Sequence, residues 1–152
     1  MQGLKRILLA EDDANDAELT LAALGEHRLA NDVVHVRDGA EALDYLLRRS
    51  RYEARPNGNP AVVLLDLKMP KVDGLEVLRR MRQVESLREI PVVVLTSSRE
   101  EQDIVDSYHL GINAYVVKPV AFEEFITAVK HLGLFWAILN EPPPGTVRSS
   151  MR

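Results

Sequence analysis

The stretch Ala61-Val-Val-Leu-Leu65, followed at once by Asp66, decides the fold of this chain of 152 residues. Its five residues are apolar without alternation, and Val and Leu supply four of them. Continuous runs of this kind are typical of strands buried on both faces, which occur in parallel sheets covered by helices. The stretch therefore predicts an inner strand of an α/β sheet, with Asp66 at its carboxyl end.

Four further apolar runs of the same kind lie before and after this stretch. They cover residues 7–10, 33–36, 92–95 and 114–117. Five such runs with amphipathic segments between them predict right-handed crossovers and a doubly wound parallel sheet. The repeat of roughly 20–30 residues suits a flavodoxin-like arrangement, although periodicity alone does not fix the strand order.

The segments between the runs carry apolar residues at helical spacing. Helices are predicted around residues 19–23, 43–47 and 75–81, over 100–110, and from 122 to about 139. Gly111 is the stop signal of the fourth helix, because glycine is frequent just after a helix end. The connection 48–60 is partly basic and is expected to be a solvated loop, with partner docking as the alternative.

The composition excludes several classes of protein. With 46% hydrophobic and 28% charged residues, the chain has the values and the length of one globular domain. The formal net charge of -4 gives no general basic footprint for nucleic acid, and the lack of cysteine excludes thiol nucleophiles and cysteine-bound zinc. No apolar run suits a membrane span or a signal peptide. We therefore expect a soluble cytoplasmic protein.

Polar and ionisable residues follow most of the predicted strands. Glu11 and Asp12 follow the first run, Asp66 the third, Thr96 the fourth and Lys118 the fifth. Ligands of open α/β sheets bind outside the carboxyl ends of the strands. Solvated loops alone would account for one acidic strand end, but this combination on neighbouring strands favours a site.

Such a site has a recognisable chemistry. Clustered carboxylates repel one another, so they either take up protons or bind a cation. Oxygen ligands without nearby His or Cys favour Mg²⁺. A carboxylate can also attack a phosphoryl group, whose charge Lys118 and the metal would neutralise while Thr96 donates a hydrogen bond. The pattern predicts phosphoryl acceptance by an aspartate.

Four segments of the chain resemble the receiver domains of two-component response regulators. These are Ile7-Leu-Leu-Ala-Glu-Asp-Asp13, Val63-Leu-Leu-Asp-Leu-Lys-Met-Pro70 with Asp73-Gly74, Val93-Val-Leu-Thr-Ser-Ser98 and Ala114-Tyr-Val-Val-Lys-Pro119. The resemblance implies a CheY-like fold, with a five-stranded parallel sheet in the order 2-1-3-4-5. It also implies a receiver domain over 4–140, a Pro-rich tail over 141–152 and no effector domain.

The same resemblance assigns roles to the residues at the strand ends. It implies that Asp66 is the phosphoacceptor and that Glu11, Asp12, Asp66 and the backbone carbonyl of Lys68 bind Mg²⁺. Lys118 and Thr96 would contact the phosphoryl group. The peptide bond between Lys118 and Pro119 is expected to be cis.

Tyr115 occupies the position of the family's switch aromatic. From its strand alone it would be a half-buried tyrosine, but the resemblance implies that it moves together with Thr96 on phosphorylation. That motion would remodel the face formed by the fourth helix, the fifth strand and the fifth helix. The protein would then be a signalling phosphoacceptor, served by a sensor histidine kinase, rather than an enzyme.

The segment 132–139 is apolar all round, which one face of a sheet cannot bury. It either packs on its own domain or forms a partner surface centred on Phe135 and Trp136. Together with the connection 48–60, it resembles stand-alone response regulators of phytochrome-type histidine kinases, which form homodimers. A bacteriophytochrome partner and a homodimer are therefore expected.

Two other functions fit the sequence less well. Phosphatases of the haloacid dehalogenase type need a second aspartate two positions after the nucleophile, and that position here is Lys68. A nucleic-acid-acting regulator would need a reading element, but no helix-turn-helix follows residue 140. The arginines at 48–49 and 79–82 are better explained as solvated helix faces.

Overall fold

The fold is a five-stranded parallel sheet between two layers of helices. A computed structural model of the chain describes residues 6–25, 33–55, 58–69, 71–106, 108–112 and 114–131. The strands are β1 (Ile7–Ala10), β2 (Val33–Val36), β3 (Val62–Asp66), β4 (Val92–Thr96) and β5 (Ala114–Val117). They lie in the order β2-β1-β3-β4-β5, and every pairing is parallel. The predicted strands and the flavodoxin-like order are confirmed.

Five α-helices connect and cover these strands. They are α1 (Ala14–Gly25), α2 (Gly39–Leu47), α3 (Gly74–Gln83), α4 (Arg99–Asp106) and α5 (Phe122–His131). The predicted end of the fourth helix at Leu110 is wrong, because the chain turns after Asp106 and His109 takes a left-handed conformation with φ of 53°. The predicted continuation to residue 139 and the tail 141–152 lie outside the described residues.

The core has two layers because successive strand residues point to opposite faces of the sheet. Val63 and Leu65 of β3 pack with side chains of α2 and α3, whereas Val62 and Leu64 pack with α5 on the other face. All four side chains are fully buried. The lack of alternation in the sequence therefore reflects burial on both faces of the central strand.

Four of the helices begin at a capping side chain placed just before their first residue. Its oxygen accepts a hydrogen bond from a backbone N–H of the first helical turn, which satisfies one otherwise unpaired donor. The caps are Asp13 of α1, Asp38 of α2, Asp73 of α3 and Ser98 of α4. Most of these caps lie within three residues of a strand end, so they fix the start of each helix beside the carboxyl edge of the sheet.

The connection 48–60 contacts α2 within the part that the structure describes, residues 48–55 and 58–60. It contains a short 3₁₀ helix at Ser50–Tyr52. Arg55 Nε donates to the Tyr45 carbonyl at 2.7 Å, and its guanidinium lies 4.3 Å from the centre of the Tyr45 ring. The connection is therefore anchored on α2 by Arg55, a contact that composition does not reveal.

The start of α3 lies against the backbone of Asp66. Gly74 N–H donates to the Leu67 carbonyl at 2.9 Å, and a Cβ on Gly74 would lie 2.3 Å from the Asp66 carbonyl oxygen. That distance is too short for any side chain. Glycine at this position therefore allows α3 to approach the end of β3.

We expect Gly74→Ala to destabilise the protein by about 1–3 kcal/mol, because the backbone of α3 or β3 must move to admit the methyl group. Urea unfolding measures this change through the transition midpoint. An unchanged midpoint would show that the approach of α3 to Asp66 is looser than described.

Candidate functional site

Three carboxylates meet at the carboxyl ends of β1 and β3. Glu11 directly follows β1 and is fully buried, Asp66 ends β3 and is 5% exposed, and Asp12 is exposed. One oxygen from each lies within 4.8 Å of the others. They meet because β1 and β3 are paired neighbours, with Ala10 opposite Leu65. The predicted acidic cluster is thus present.

Lys118 brings the positive charge to this cluster from the end of β5. Its Nζ lies 3.2 Å from Asp66 Oδ1 and 3.4 Å from Glu11 Oε1. Its shortest contact, at 3.0 Å, is to Asp16 Oδ2 on α1, a residue that the sequence analysis missed. The peptide bond between Lys118 and Pro119 is cis, as the resemblance implied.

The charges of the cluster are unbalanced. Burial raises the pKa of Glu11 to about 7, and the hydrogen bond and negative charge of Asp66 act in the same direction. Burial acts to lower the pKa of Lys118, but Asp16, Asp66 and Glu11 outweigh it and raise that pKa above its usual value. One ammonium faces an excess of carboxylates, so the cluster suits a hard divalent cation with oxygen ligands.

The Thr96 hydroxyl at the end of β4 points toward α4. Its Oγ1 lies 2.8 Å from Glu101 Oε1 and 2.7 Å from the Ser98 carbonyl oxygen. A hydroxyl has a single proton, so it donates to one of these acceptors at a time. Thr96 therefore lies at the strand end as predicted, and its hydroxyl proton is hydrogen-bonded to either the Glu101 carboxylate or the Ser98 carbonyl.

Glu101 is a second residue that the sequence analysis missed. Its carboxylate also accepts from the Ser97 N–H at 3.1 Å and pairs with Lys68 Nζ at 3.4 Å. Burial would raise the pKa of Glu101, but the hydrogen bonds from Thr96 and Ser97 and the Lys68 ammonium lower it. The spacing of Ser98 and Glu101 fits a capping box, a signal that could have identified Glu101 as a residue of the helix start.

Tyr115 contacts the opposite end of α4. Its ring is half-buried, and its hydroxyl donates to the Asp106 carboxylate. Burial and this hydrogen bond raise the pKa of Tyr115, so the phenol keeps its proton near neutral pH. The structure thus describes a half-buried strand tyrosine, and its role as a switch stays a prediction.

The structure says less about the roles of the remaining candidate residues. Lys68 follows β3 with an exposed side chain, and metal binding by its carbonyl stays a prediction. Phe135 and Trp136 lie outside the described residues. His35, which no motif indicated, lies with Nε2 at 2.8 Å from the Glu11 carbonyl oxygen. Since a carbonyl can only accept, this nitrogen carries a proton.

The family model of the response regulator receiver domain matches residues 7–130 of the chain. The chain belongs to the response regulator receiver family. The receiver is 38% identical to response regulator Rcp1 of Synechocystis sp. over 132 residues, which are 87% of this chain and 88% of that protein.

Solved structures give closer matches. The bacteriophytochrome response regulator RtBRR is 64% identical, with a TM-score of 0.84 over 94% of this chain and 86% of the other. AtBRR, also described as a bacteriophytochrome response regulator, is 62% identical, with a TM-score of 0.85 over 92% of this chain and 100% of the other. A structure described as the Mn²⁺-bound form of Rcp1 is 38% identical, with a TM-score of 0.68 over 87% and 94% of the two chains.

Membership of this family supports a phosphoacceptor function in signalling, and the phosphatase alternative is not favoured. Receiver domains accept phosphate from sensor histidine kinases and bind a divalent metal, which the carboxylates of Glu11, Asp12 and Asp66 fit. Over the described residues, the helices are too short and too polar to traverse a lipid bilayer.

The raised pKa of Glu11 predicts a pH-dependent stability in the absence of metal. Between the ordinary value of 4.5 and about 7, the folded protein holds a proton on Glu11 that the unfolded chain has released. This contribution to stability is complete below pH 4.5 and is lost as the pH rises through about 7. We expect the urea midpoint of the metal-free protein to fall between pH 5 and pH 8.

The matched variant is Glu11→Gln, in which the neutral amide removes this titration and flattens the profile over the same pH range. An equal fall in Glu11→Gln and in the parent protein would assign the titration to another group.

Proposed function

We propose that this receiver accepts a phosphoryl group on Asp66 from a histidine kinase of the bacteriophytochrome type. The observation that carries the proposal is the Asp66 carboxylate, which lies 3.2 Å from Lys118 Nζ inside the acidic cluster. The names of RtBRR and AtBRR support the phytochrome pathway. The receiver would span 4–140, with 141–152 as a tail.

The proposed transfer is a displacement at phosphorus. An Asp66 oxygen forms the new P–O bond while the P–N bond to the histidine of the kinase breaks, and the imidazole nitrogen keeps the bonding electron pair. Lys118, already within hydrogen-bond distance of Asp66, donates to the transferred oxygens and balances their charge. The Thr96 hydroxyl donates to the same group once its proton is free.

Magnesium is the proposed metal. Its ligands would be Glu11, Asp12, Asp66 and the backbone carbonyl of Lys68, a set made only of oxygen atoms, which Mg²⁺ prefers. When bound, the ion supplies positive charge beside the phosphoryl oxygens. The buried Glu11 and Asp66 carboxylates repel each other, so a bound cation would stabilise the site.

The receiver would assist its own phosphorylation and, slowly, its own dephosphorylation. The position two residues after Asp66 is Lys68, whose ammonium pairs with Glu101 and cannot act as a general base while it is protonated. Without a second carboxylate at that position, activation of a hydrolytic water is weak. Hydrolysis would therefore be incidental to the function rather than its purpose.

Output would come from the face formed by α4, β5 and α5. Thr96 and Tyr115 would move together on phosphorylation, and both contact α4. A groove of about 600 Å³ opens on this face, lined by residues of all three elements, among them Gln102, Val117 and Thr127. The face thus offers a surface that a change in α4 would reshape.

We further propose a homodimer whose interface includes Phe135 and Trp136. Direct nucleic-acid binding is not expected. Arg79 and Arg80 both pair with Glu76, which offsets part of the positive charge of the arginine-rich helix α3.

We expect Asp66→Asn to abolish labelling by acetyl phosphate in the presence of Mg²⁺, because the amide lacks the nucleophilic carboxylate. Intact-protein mass spectrometry measures the added phosphoryl group. Asp44→Asn is the matched control, since it makes the same change on α2 at a carboxylate that pairs with Arg49. Full labelling of Asp66→Asn would refute the assignment of the phosphoacceptor.

We expect Trp136→Ala to shift the protein from dimer to monomer in sedimentation velocity experiments, because a buried tryptophan is a frequent anchor of an interface. Leu19→Ala is the control, because it removes an apolar side chain of α1 that is 52% exposed. A Trp136→Ala protein that keeps the dimer mass would place the interface elsewhere.

A further inference from the structure

Thr96 and Tyr115, the two residues of the proposed switch, both have hydroxyl groups within hydrogen-bond distance of carboxylates on α4. Thr96 contacts Glu101 in the first turn of α4, and Tyr115 donates to Asp106 at its last residue. The unphosphorylated receiver thus connects α4 to β4 at one end and to β5 at the other. Each connection is a hydrogen bond of a hydroxyl group that is proposed to move on phosphorylation.

Polar contacts matter for α4 because the helix has little apolar packing. Val105 is the buried residue among those described in α4, and the neighbouring Ile104 is 59% exposed. The burial of one valine side chain stabilises a helix about as much as one or two hydrogen bonds to charged groups do. The position of α4 therefore depends strongly on what its carboxylates contact.

Glu101 has the geometry to control Thr96. Its Oε1 lies 2.8 Å from the Thr96 hydroxyl, for which the Ser98 carbonyl at 2.7 Å is the alternative, uncharged acceptor. The same carboxylate accepts from the Ser97 N–H at 3.1 Å, while Lys68 contacts Oε2. Two partners besides Thr96 thus hold the carboxylate at the end of β4. Because the hydroxyl has one proton, Thr96 cannot donate to Glu101 and to a phosphoryl oxygen at the same time.

We propose that Glu101 is a positioning residue that keeps the Thr96 hydroxyl on α4 and withholds it from Asp66 until phosphorylation. This inference rests on the proposed function, because it assumes that Asp66 carries the phosphoryl group. When the Thr96 hydroxyl moves its hydrogen bond from Glu101 to a phosphoryl oxygen, the connection between β4 and the first turn of α4 is broken. Glu101 therefore opposes phosphorylation and couples it to the position of the helix.

The test measures binding of beryllofluoride, a phosphoryl mimic, in the presence of Mg²⁺ by isothermal titration calorimetry. We expect Glu101→Ala to bind it about three- to tenfold more tightly than the parent, since Thr96 no longer gives up a charged acceptor. Glu101→Gln keeps an acceptor of the same shape and is expected to lie between the two. Glu100→Ala, one exposed residue earlier on α4, is the matched control and should bind like the parent.

A double-mutant cycle with Thr96→Val separates this mechanism from an effect through Lys68, which Glu101→Ala also releases. If Glu101 acts through Thr96, its replacement changes the affinity of the Thr96→Val protein less than twofold. A gain that persists in Thr96→Val, or that Glu100→Ala reproduces, would overturn the inference. Urea unfolding of each variant confirms that the titrated protein is folded.

The two proposals fail in different ways. If the parent protein binds no beryllofluoride and takes no label from acetyl phosphate, the proposed function is wrong. If the parent binds it and Glu101→Ala binds equally well, Asp66 keeps its role and Glu101 does not control Thr96.

Discussion

The structure depends on one electrostatic constraint, which is that Glu11 and Asp66 are held together in the buried ends of adjacent strands. Two carboxylates in such a place destabilise the fold unless a proton or a cation compensates them. Lys118 supplies part of the compensation from β5, and Asp16 on α1 in turn shares that ammonium. The apolar core thus stabilises a cluster that would be unfavourable by itself. Its excess negative charge makes the cluster suited to a divalent metal ion.

The core holds Asp66 in place, whereas α4 is the part of the site that can move. On one side of the site, the close approach of Gly74 to Asp66 and the burial of β3 leave little freedom for the backbone of Asp66. On the other side, α4 is positioned mainly by side-chain hydrogen bonds at its ends. Packed apolar contacts are lost together, whereas a hydrogen bond can exchange one acceptor for another at small cost. A rigid Asp66 beside a helix that can shift is therefore suited to a conformational response, in which a change of charge at Asp66 alters the surface formed by α4.

The sequence predicted the sheet and the acidic cluster because both follow from the chain itself. An uninterrupted apolar run such as Ile7–Ala10 has the same bounds in the structure as in the pattern, and parallel order brings the residues after each run to one edge. The contacts of Asp16 and Glu101 could not be derived in this way. Each depends on how a helix is rotated against the sheet and on the rotamer of a long side chain. A capping box predicts where α4 begins, but it does not say that Glu101 extends past its own cap to Thr96.

The connection 48–60 lies away from the carboxylate cluster, so its side chains form a separate surface. It joins α2 to β3 at the amino ends of the strands, opposite the edge where the carboxylates meet. Arg55 fastens it to the Tyr45 carbonyl and ring, so its attachment does not involve the carboxylate cluster. Changes in its exposed side chains would therefore alter the surface at the amino ends of the strands without changing a contact of Glu11 or Asp66.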